Sequence, residues 1–179
     1  MSDDLSRDEP DAADDAPLHG AVLVAVTPGQ SARVLTEAAR YAALLKTPLV
    51  VVNVDVTRFV TYEDPDGYVH SAPIDLHVVP GAEDVEAVRA EAAAALDGRG
   101  VEWSVRQLVG DPALAIKHFA DRIEARLIVV GTRKRGIGES IREFFTGSVA
   151  ARLAHRQHRP ILVVPLGDPL PDDEAIWPE

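Results

Sequence analysis

The sequence predicts one α/β domain built on a doubly wound sheet of five parallel strands, with helices on both faces. Short, continuously apolar runs alternate with helical patterns along the chain, and such runs are typical of strands covered on both faces. Hydrophobic residues make up 46% of the 179 residues, enough for one core. A basic, glycine-punctuated segment follows the fourth run, where folds of this class bind anionic ligands.

Five runs are predicted as strands, and four segments with a 3.6-residue period are predicted as helices. Four of the five runs are almost wholly apolar, whereas the third alternates with polar residues, as a half-exposed strand does. Ser31 and Asp111 are candidate N-caps, and Pro112 suits a first helical position. The strands are 21–26, 49–54, 101–109, 127–130 and 161–164, and the helices are approximately 31–46, 84–96, 112–123 and 148–155.

Residues 55–80 interrupt this pattern. Their segment EDPDGYVHSAP contains two prolines, one glycine and three acids, a composition that favours turns. We predict a long loop here, in which a turn of helix can form. Loops of more than about 12–15 residues in compact domains are usually functional or mobile.

The charge is unevenly distributed along the chain. Residues 1–17 carry seven acids and one arginine, and residues 167–179 carry five acids and no base, so these tails account for −6 and −5 of the net charge of −11. We predict that 1–17 is a disordered acidic tail, that 18–166 is the folded domain, and that 167–179 is an acidic, proline-rich tail.

The composition also argues against several classes of protein. The domain itself is neutral, with 17 acids and 17 bases, so it has no broad basic face for nucleic acid. No apolar run approaches the roughly 20 residues of a membrane span, and the acidic N-terminus is unlike a signal peptide. Zero cysteines exclude disulfides and thiol chemistry. We therefore expect a cytoplasmic protein that binds neither membranes nor nucleic acid.

The segment 131–148 is the candidate binding loop. It joins Arg133, Lys134 and Arg135 to a helix start at Gly147-Ser148. A helix N-terminus exposes unpaired N–H groups and the positive end of the helix dipole, so it favours a bound anion. Two other interpretations stay open: Gly147-Ser148 as an ordinary, closely packed helix start, and the basic residues as part of a solvated loop.

Four blocks in this order resemble the universal stress protein family: VLVAV with the turn to Ser31, VVVNVDV, GDPALAI, and LIVVGTR with GSVAARLAHRQHRPILVVP. The resemblance covers approximately residues 20–166. It implies a Rossmann-like sheet with strand order 3-2-1-4-5 and a homodimer formed through the final strand, 161–164. It also implies that ATP, with Mg, is a candidate ligand.

The resemblance assigns the nucleotide-binding positions residue by residue. ATP-binding members carry a Gly-x2-Gly-x9-Gly-Ser/Thr loop, an Asp that ends strand one, and a residue near the base after strand two. In this chain Lys134 stands at the second glycine, 15 residues rather than 12 separate Gly131 from Gly147, and Thr27 replaces the Asp. Gly136 or Gly138 is placed to take over the missing glycine. The implied binding residues are Thr27, Val54, Gly110, Gly131, Thr132, Arg133, Gly136, Gly147, Ser148 and Val149.

The sequence thus favours a dimeric stress-response regulator that binds ATP or another adenine nucleotide. The alternative is an interaction or scaffold protein of the same fold that binds no nucleotide. Slow ATP hydrolysis is a third, weaker reading, since no positioned base is evident and no nucleophile-elbow pattern occurs. His155 and His158 lack a third ligand nearby in sequence, so we predict no metal site and no catalytic residues.

Overall fold

The computed structural model describes residues 12–30, 32–63, 69–73, 82–132 and 149–167. Within these ranges a short 3-10 helix, Ala12–Leu18, precedes the sheet. The strands are β1 Val22–Ala25, β2 Leu49–Asp55, β3 Arg58–Glu63, β4 Val69–Pro73, β5 Trp103–Val109, β6 Leu127–Gly131 and β7 Ile161–Val164. The helices are α1 Ala32–Leu45, α2 Ala82–Leu96, α3 Pro112–Arg122 and α4 Val149–Ala154.

The main sheet has five strands in the order β5-β2-β1-β6-β7, and every pair in it is parallel. Counted along the chain, these five strands stand in the predicted order 3-2-1-4-5, so the fold prediction is confirmed. Val24 of the central strand pairs with Val51 on one side and with Val129 on the other. The strand order reverses beside β1, between it and β6.

Two hydrophobic cores lie on opposite faces of this sheet. One contains side chains of α1 and α2 with Val24 and Val51, and the other contains side chains of α3 and α4 with Leu23 and Val50. Successive residues of a strand point to opposite faces, so neighbouring valines and leucines enter different cores. This two-sided burial explains why the strand sequences are continuously apolar. None of the helices in the described ranges is long and apolar enough to cross a membrane.

The prediction of a long loop over 55–80 is wrong in part. Strands β3 and β4 form a separate antiparallel pair, whose register shifts between Val60 and Tyr62. The segment RFVTYE is rich in β-branched and aromatic residues, which favour strands. The turn-forming composition of the following segment outweighed that signal. Residues 64–68 and 74–81 lie outside the described residues.

The folded part of the chain begins before residue 18, where the sequence placed the domain boundary. Asp15, in the 3-10 helix, is only 6% exposed and accepts a hydrogen bond from Arg122 Nε at 2.8 Å. Its other carboxylate oxygen lies 3.8 Å from Arg106 Nε. Leu18 packs into the core beneath α3. Composition cannot show this contact, because the arginines lie about 90–107 residues further along the chain. Residues 1–11 and 168–179 are outside the described ranges.

We predict that Asp15→Asn lowers the free energy of unfolding by about 1–3 kcal/mol, because it removes a charged acceptor that is buried against two arginines. Urea denaturation measures the loss. The control is Glu86→Gln, whose ion pair with Arg89 is exposed on both sides and should cost less than about 1 kcal/mol. Equal losses in the two variants would show that the Asp15 contact does not anchor the N-terminal segment.

Candidate functional site

The ends of four parallel strands meet at the carboxyl edge of the sheet. Ala25 pairs with both Val52 and Val130, and Asp55 pairs with Val109. The residues that follow these strands therefore emerge at the same edge of the sheet, in the order β5, β2, β1, β6. In open α/β sheets, ligands bind outside this edge where the strand order reverses. The structure brings to this edge the predicted residues Thr27, Val54, Gly110, Gly131 and Thr132.

The remaining predicted residues belong to the loop and to α4. Val149 is the first residue of α4 and packs against the core beneath α3. The other four, Arg133, Gly136, Gly147 and Ser148, lie outside the described residues, as do Ser31, Lys134, Arg135 and Gly138. The described part of the predicted site therefore consists of the residues at the strand ends and of Val149.

The turn after β1 is held by hydrogen bonds from both sides. The Thr27 N–H donates to Gln30 Oε1 at 3.2 Å, and the Gln30 N–H donates to the Thr27 carbonyl at 3.2 Å. The Gly29 N–H donates to Glu91 Oε1 of α2 at 2.8 Å. Thr27 itself is exposed, so its hydroxyl can face a ligand on a turn that is already fixed.

Gly131 is the position where a side chain would collide with its surroundings. A Cβ built there would lie 2.3 Å from Gln30 Nε2 and 2.6 Å from Leu166 Cδ1. The ends of these two side chains lie over the end of β6, so both must shift if residue 131 carries a side chain. Sequence reasoning missed Gln30 and Leu166, because neither belongs to a motif and they lie more than 130 residues apart.

Thr132 forms two hydrogen bonds with the end of β7 and the residues that follow it. Its N–H donates to the Val164 carbonyl at 2.9 Å, and its Oγ1 accepts from the Leu166 N–H at 2.9 Å. The hydroxyl group can still donate its own proton, since these contacts use only its acceptor side. Thr132 thus fixes the point at which the segment 133–148 begins.

Two polar side chains are buried at the end of β2, on either side of Val54. Asn53 Nδ2 donates to the Val26 carbonyl at 3.2 Å, while Asn53 Oδ1 has no partner among the described residues. Asp55 Oδ1 accepts from the N–H and the hydroxyl of Thr57 at 2.8 and 2.6 Å. Both side chains are less than 10% exposed. The Asn53 contact holds the end of β2 against β1, and the Asp55 contacts hold the turn to β3. Val54, which lies between these two residues, is half-buried.

The turn between β5 and α3 has a glycine in the left-handed region and an aspartate at the helix N-cap. Gly110 has φ 103°, and its N–H donates to the Asp55 carbonyl at 3.0 Å. Asp111 Oδ1 accepts from the Leu114 N–H at 3.0 Å, which confirms the predicted cap. Arg152 Nη2 of α4 lies 2.8 and 2.7 Å from the two carboxylate oxygens of Asp111.

The Asp111 carboxylate is held in its charged form. Partial burial raises its pKa, but the hydrogen bond from Arg152, those from the N–H groups of Leu114 and Ala113, and the charge of Arg152 together outweigh burial. The pKa of Asp111 therefore lies below its ordinary value of 3.8. At neutral pH the Asp111 carboxylate is therefore ionised and already paired with Arg152.

The described edge presents the hydroxyl groups of Thr27 and Thr132, whereas the backbone N–H groups discussed above and Arg152 already donate to protein partners. Hydroxyl groups bind polar molecules, because they both donate and accept hydrogen bonds. Among the residues that the structure describes, no three His, Asp or Glu side chains form a group that could hold a metal ion.

We predict that Gly131→Ala destabilises the protein by about 1 kcal/mol, because the ends of the Gln30 and Leu166 side chains must move away from the added methyl group. Adding Gln30→Ala should recover part of the loss by removing the nearer atom. Thermal unfolding measures both changes. The control is Gly167→Ala, which meets no atom within 4 Å. If Gly131→Ala were as stable as this control, the packing account of Gly131 would be wrong.

Comparison with known proteins identifies the family. The model of the universal stress protein family matches residues 20–165. The stress response protein NhaX of Bacillus subtilis is 34% identical over 79 residues, which are 44% of this chain and 46% of NhaX. The matched segment thus spans less than half the length of that relative.

Solved structures agree with the family model. A universal stress protein from Archaeoglobus fulgidus is 25% identical, with 82% of this chain and 98% of that chain covered and a TM-score of 0.57. A universal stress protein in complex with cAMP is 24% identical, with coverages of 83% and 98% and a TM-score of 0.60. The sequence match and the shared sheet lead to one conclusion: this chain belongs to the universal stress protein family.

Proposed function

We propose that this chain is a stress-response regulatory protein that binds an adenine nucleotide at the carboxyl edge of its sheet. The observation that carries the proposal is the convergence of Thr27, Val54, Gly110 and Gly131 at neighbouring strand ends, where the strand order reverses. Such edges are the usual ligand sites of open α/β sheets. The family member solved with cAMP shows that this fold can hold an adenine nucleotide.

In this proposal the two sides of the nucleotide meet different parts of the edge. Thr27 and Val54, at the ends of β1 and β2, are the positions that the family resemblance places nearest the ribose and the base. The phosphates lie towards Gly131, Thr132 and the segment that follows, which supplies Arg133, Gly136, Gly147 and Ser148 before Val149. Arginine side chains and backbone N–H groups are the donors that phosphate oxygens prefer.

Magnesium fits the described edge less well than the nucleotide does. The carboxylates placed there are Asp55 and Asp111, and each already accepts hydrogen bonds, from Thr57 and from Arg152 respectively. Thr27 contributes a hydroxyl where the family pattern has an Asp. We therefore propose nucleotide binding in which the described residues supply no ligand to a metal ion.

A second candidate function is an interaction protein of the same fold that binds no nucleotide. The packing of Gln30 and Leu166 over Gly131 favours it, because it gives Gly131 a role that needs no ligand. On this view the acidic termini and the altered segment 133–148 would serve protein partners. We propose no catalytic role under either candidate.

The nucleotide proposal predicts a thermal shift with AMP, cAMP or ATP, measured with Mg²⁺ and with EDTA. A ligand at 100 times its dissociation constant should add about 2.7 kcal/mol to the stability. The variant Gly147→Glu should abolish the shift, because it places bulk and negative charge in the loop. Gly167→Glu, at an exposed glycine with no atom near its Cβ, should keep it. No shift with any nucleotide, or a shift retained in Gly147→Glu, would contradict the proposal.

We also propose that two copies associate through β7. This strand is an edge of the sheet, Val163 is 43% exposed, and Ile161 and Leu162 are half-buried. An apolar edge strand invites pairing, and a symmetric copy of the same strand would cover it.

Light scattering at micromolar concentration should therefore give the mass of two chains. Val163→Lys should shift the protein towards one chain, because the charge would be buried at the contact. Leu44→Lys alters another exposed apolar residue, 67% exposed on α1, and should leave the mass unchanged. A wild-type protein with the mass of one chain would remove the dimer from the proposal.

A further inference from the structure

The pair of Asp111 and Arg152 joins two segments that are distant in sequence. Asp111 caps α3 directly after β5, whereas Arg152 lies in α4, after the segment 133–148. One guanidinium nitrogen lies within 2.8 Å of both carboxylate oxygens. The two side chains are about one third exposed, so the contact lies at the surface of the carboxyl edge rather than in the core.

This ion pair continues a line of contacts across the edge. The Asp55 carbonyl at the end of β2 accepts from the Gly110 N–H at 3.0 Å, and Asp111 is the next residue. Asp111 in turn pairs with Arg152 of α4, and the next residue of that helix, Leu153, is fully buried. The end of β2, the turn at Gly110 and α4 are thus connected through polar contacts.

A second ion pair joins the same regions at the opposite end of α3. Asp121 accepts from Arg159 Nη1 and from Lys117 Nζ, and Arg159 Nε also donates to the Ala125 carbonyl at 3.0 Å. The carboxylates are 44% and 36% exposed in the two pairs, and the arginines 25% and 32%. The Arg159 pair lies before β7, near the amino edge, far from Thr27 and Gly131. It therefore provides a matched comparison.

We infer that the Asp111–Arg152 pair is a positioning element that holds α4 against the Gly110 turn. The inference rests on the proposed nucleotide site and assigns to Arg152 an action through Asp111 rather than direct contact with the ligand. Nucleotide affinity should then depend on this pair, whereas the Arg159 pair should affect stability alone.

The test compares four variants of the full chain with AMP as the probe. Arg152→Ala removes the cation, and Arg152→Lys keeps it. Asp111→Ser removes the carboxylate but keeps a side chain that can cap α3. Arg159→Ala is the control at the opposite end. Calorimetry gives the dissociation constant, and hydrogen exchange without ligand gives the protection of the amides of α4.

Arg152→Ala and Asp111→Ser should each weaken AMP binding about fivefold or more, and both should speed exchange in α4. Arg152→Lys should recover most of the affinity. Arg159→Ala should change the dissociation constant by less than about twofold, even where it lowers the melting temperature.

Unchanged exchange in α4 of Arg152→Ala would overturn the inference, and so would equal losses of affinity in Arg152→Ala and Arg159→Ala. If the wild-type protein binds no nucleotide, the proposed function fails. The exchange result then decides by itself whether the pair holds α4 in place.

Discussion

The structure depends on a central sheet that is buried on both faces. Neighbouring residues such as Leu23 and Val24 enter two different cores, so a change at almost any strand position disturbs packing against a helix. Parallel strands also require crossover connections. These connections place every loop that follows a strand at the same edge. The fold therefore produces an edge where residues from distant parts of the chain meet.

That edge is held together before any ligand arrives. The Gln30 side chain accepts a hydrogen bond from the Thr27 N–H, and the Thr132 hydroxyl accepts one from the Leu166 N–H. The Asp55 carboxylate accepts from the Thr57 hydroxyl, and the Asp55 carbonyl accepts from the Gly110 N–H. Such contacts reduce the number of conformations that a ligand must select, and preordered sites lose less entropy on binding. The same contacts satisfy many of the groups there. On the proposed function, a nucleotide at this edge would meet the exposed Thr27 on a turn that is already fixed.

The sheet could be predicted from the sequence because its signal is local. The continuously apolar runs AVLVAV and LIVV indicate strands that are buried on both faces, and Asp111-Pro112 indicates a helix start. The pairing of Asp15 with Arg122, the packing of Gln30 against Gly131, and the contact of Arg152 with Asp111 could not be predicted. Each joins residues that are 41 or more apart, and no periodicity records such contacts. The pair β3 and β4 was missed for a different reason, because turn-forming residues outweighed a short strand signal.

The central claim is that an adenine nucleotide binds across the ends of β1, β2 and β6. The most direct measurement is a titration of the ¹⁵N-labelled protein with AMP, followed by NMR of the backbone amides. The account predicts saturable shifts at Thr27, Val54 and Thr132, with Gly20 and Arg126 at the opposite edge unmoved. Shifts centred on the opposite edge, or no shifts at millimolar AMP, would contradict it and would favour a protein that works through partners alone.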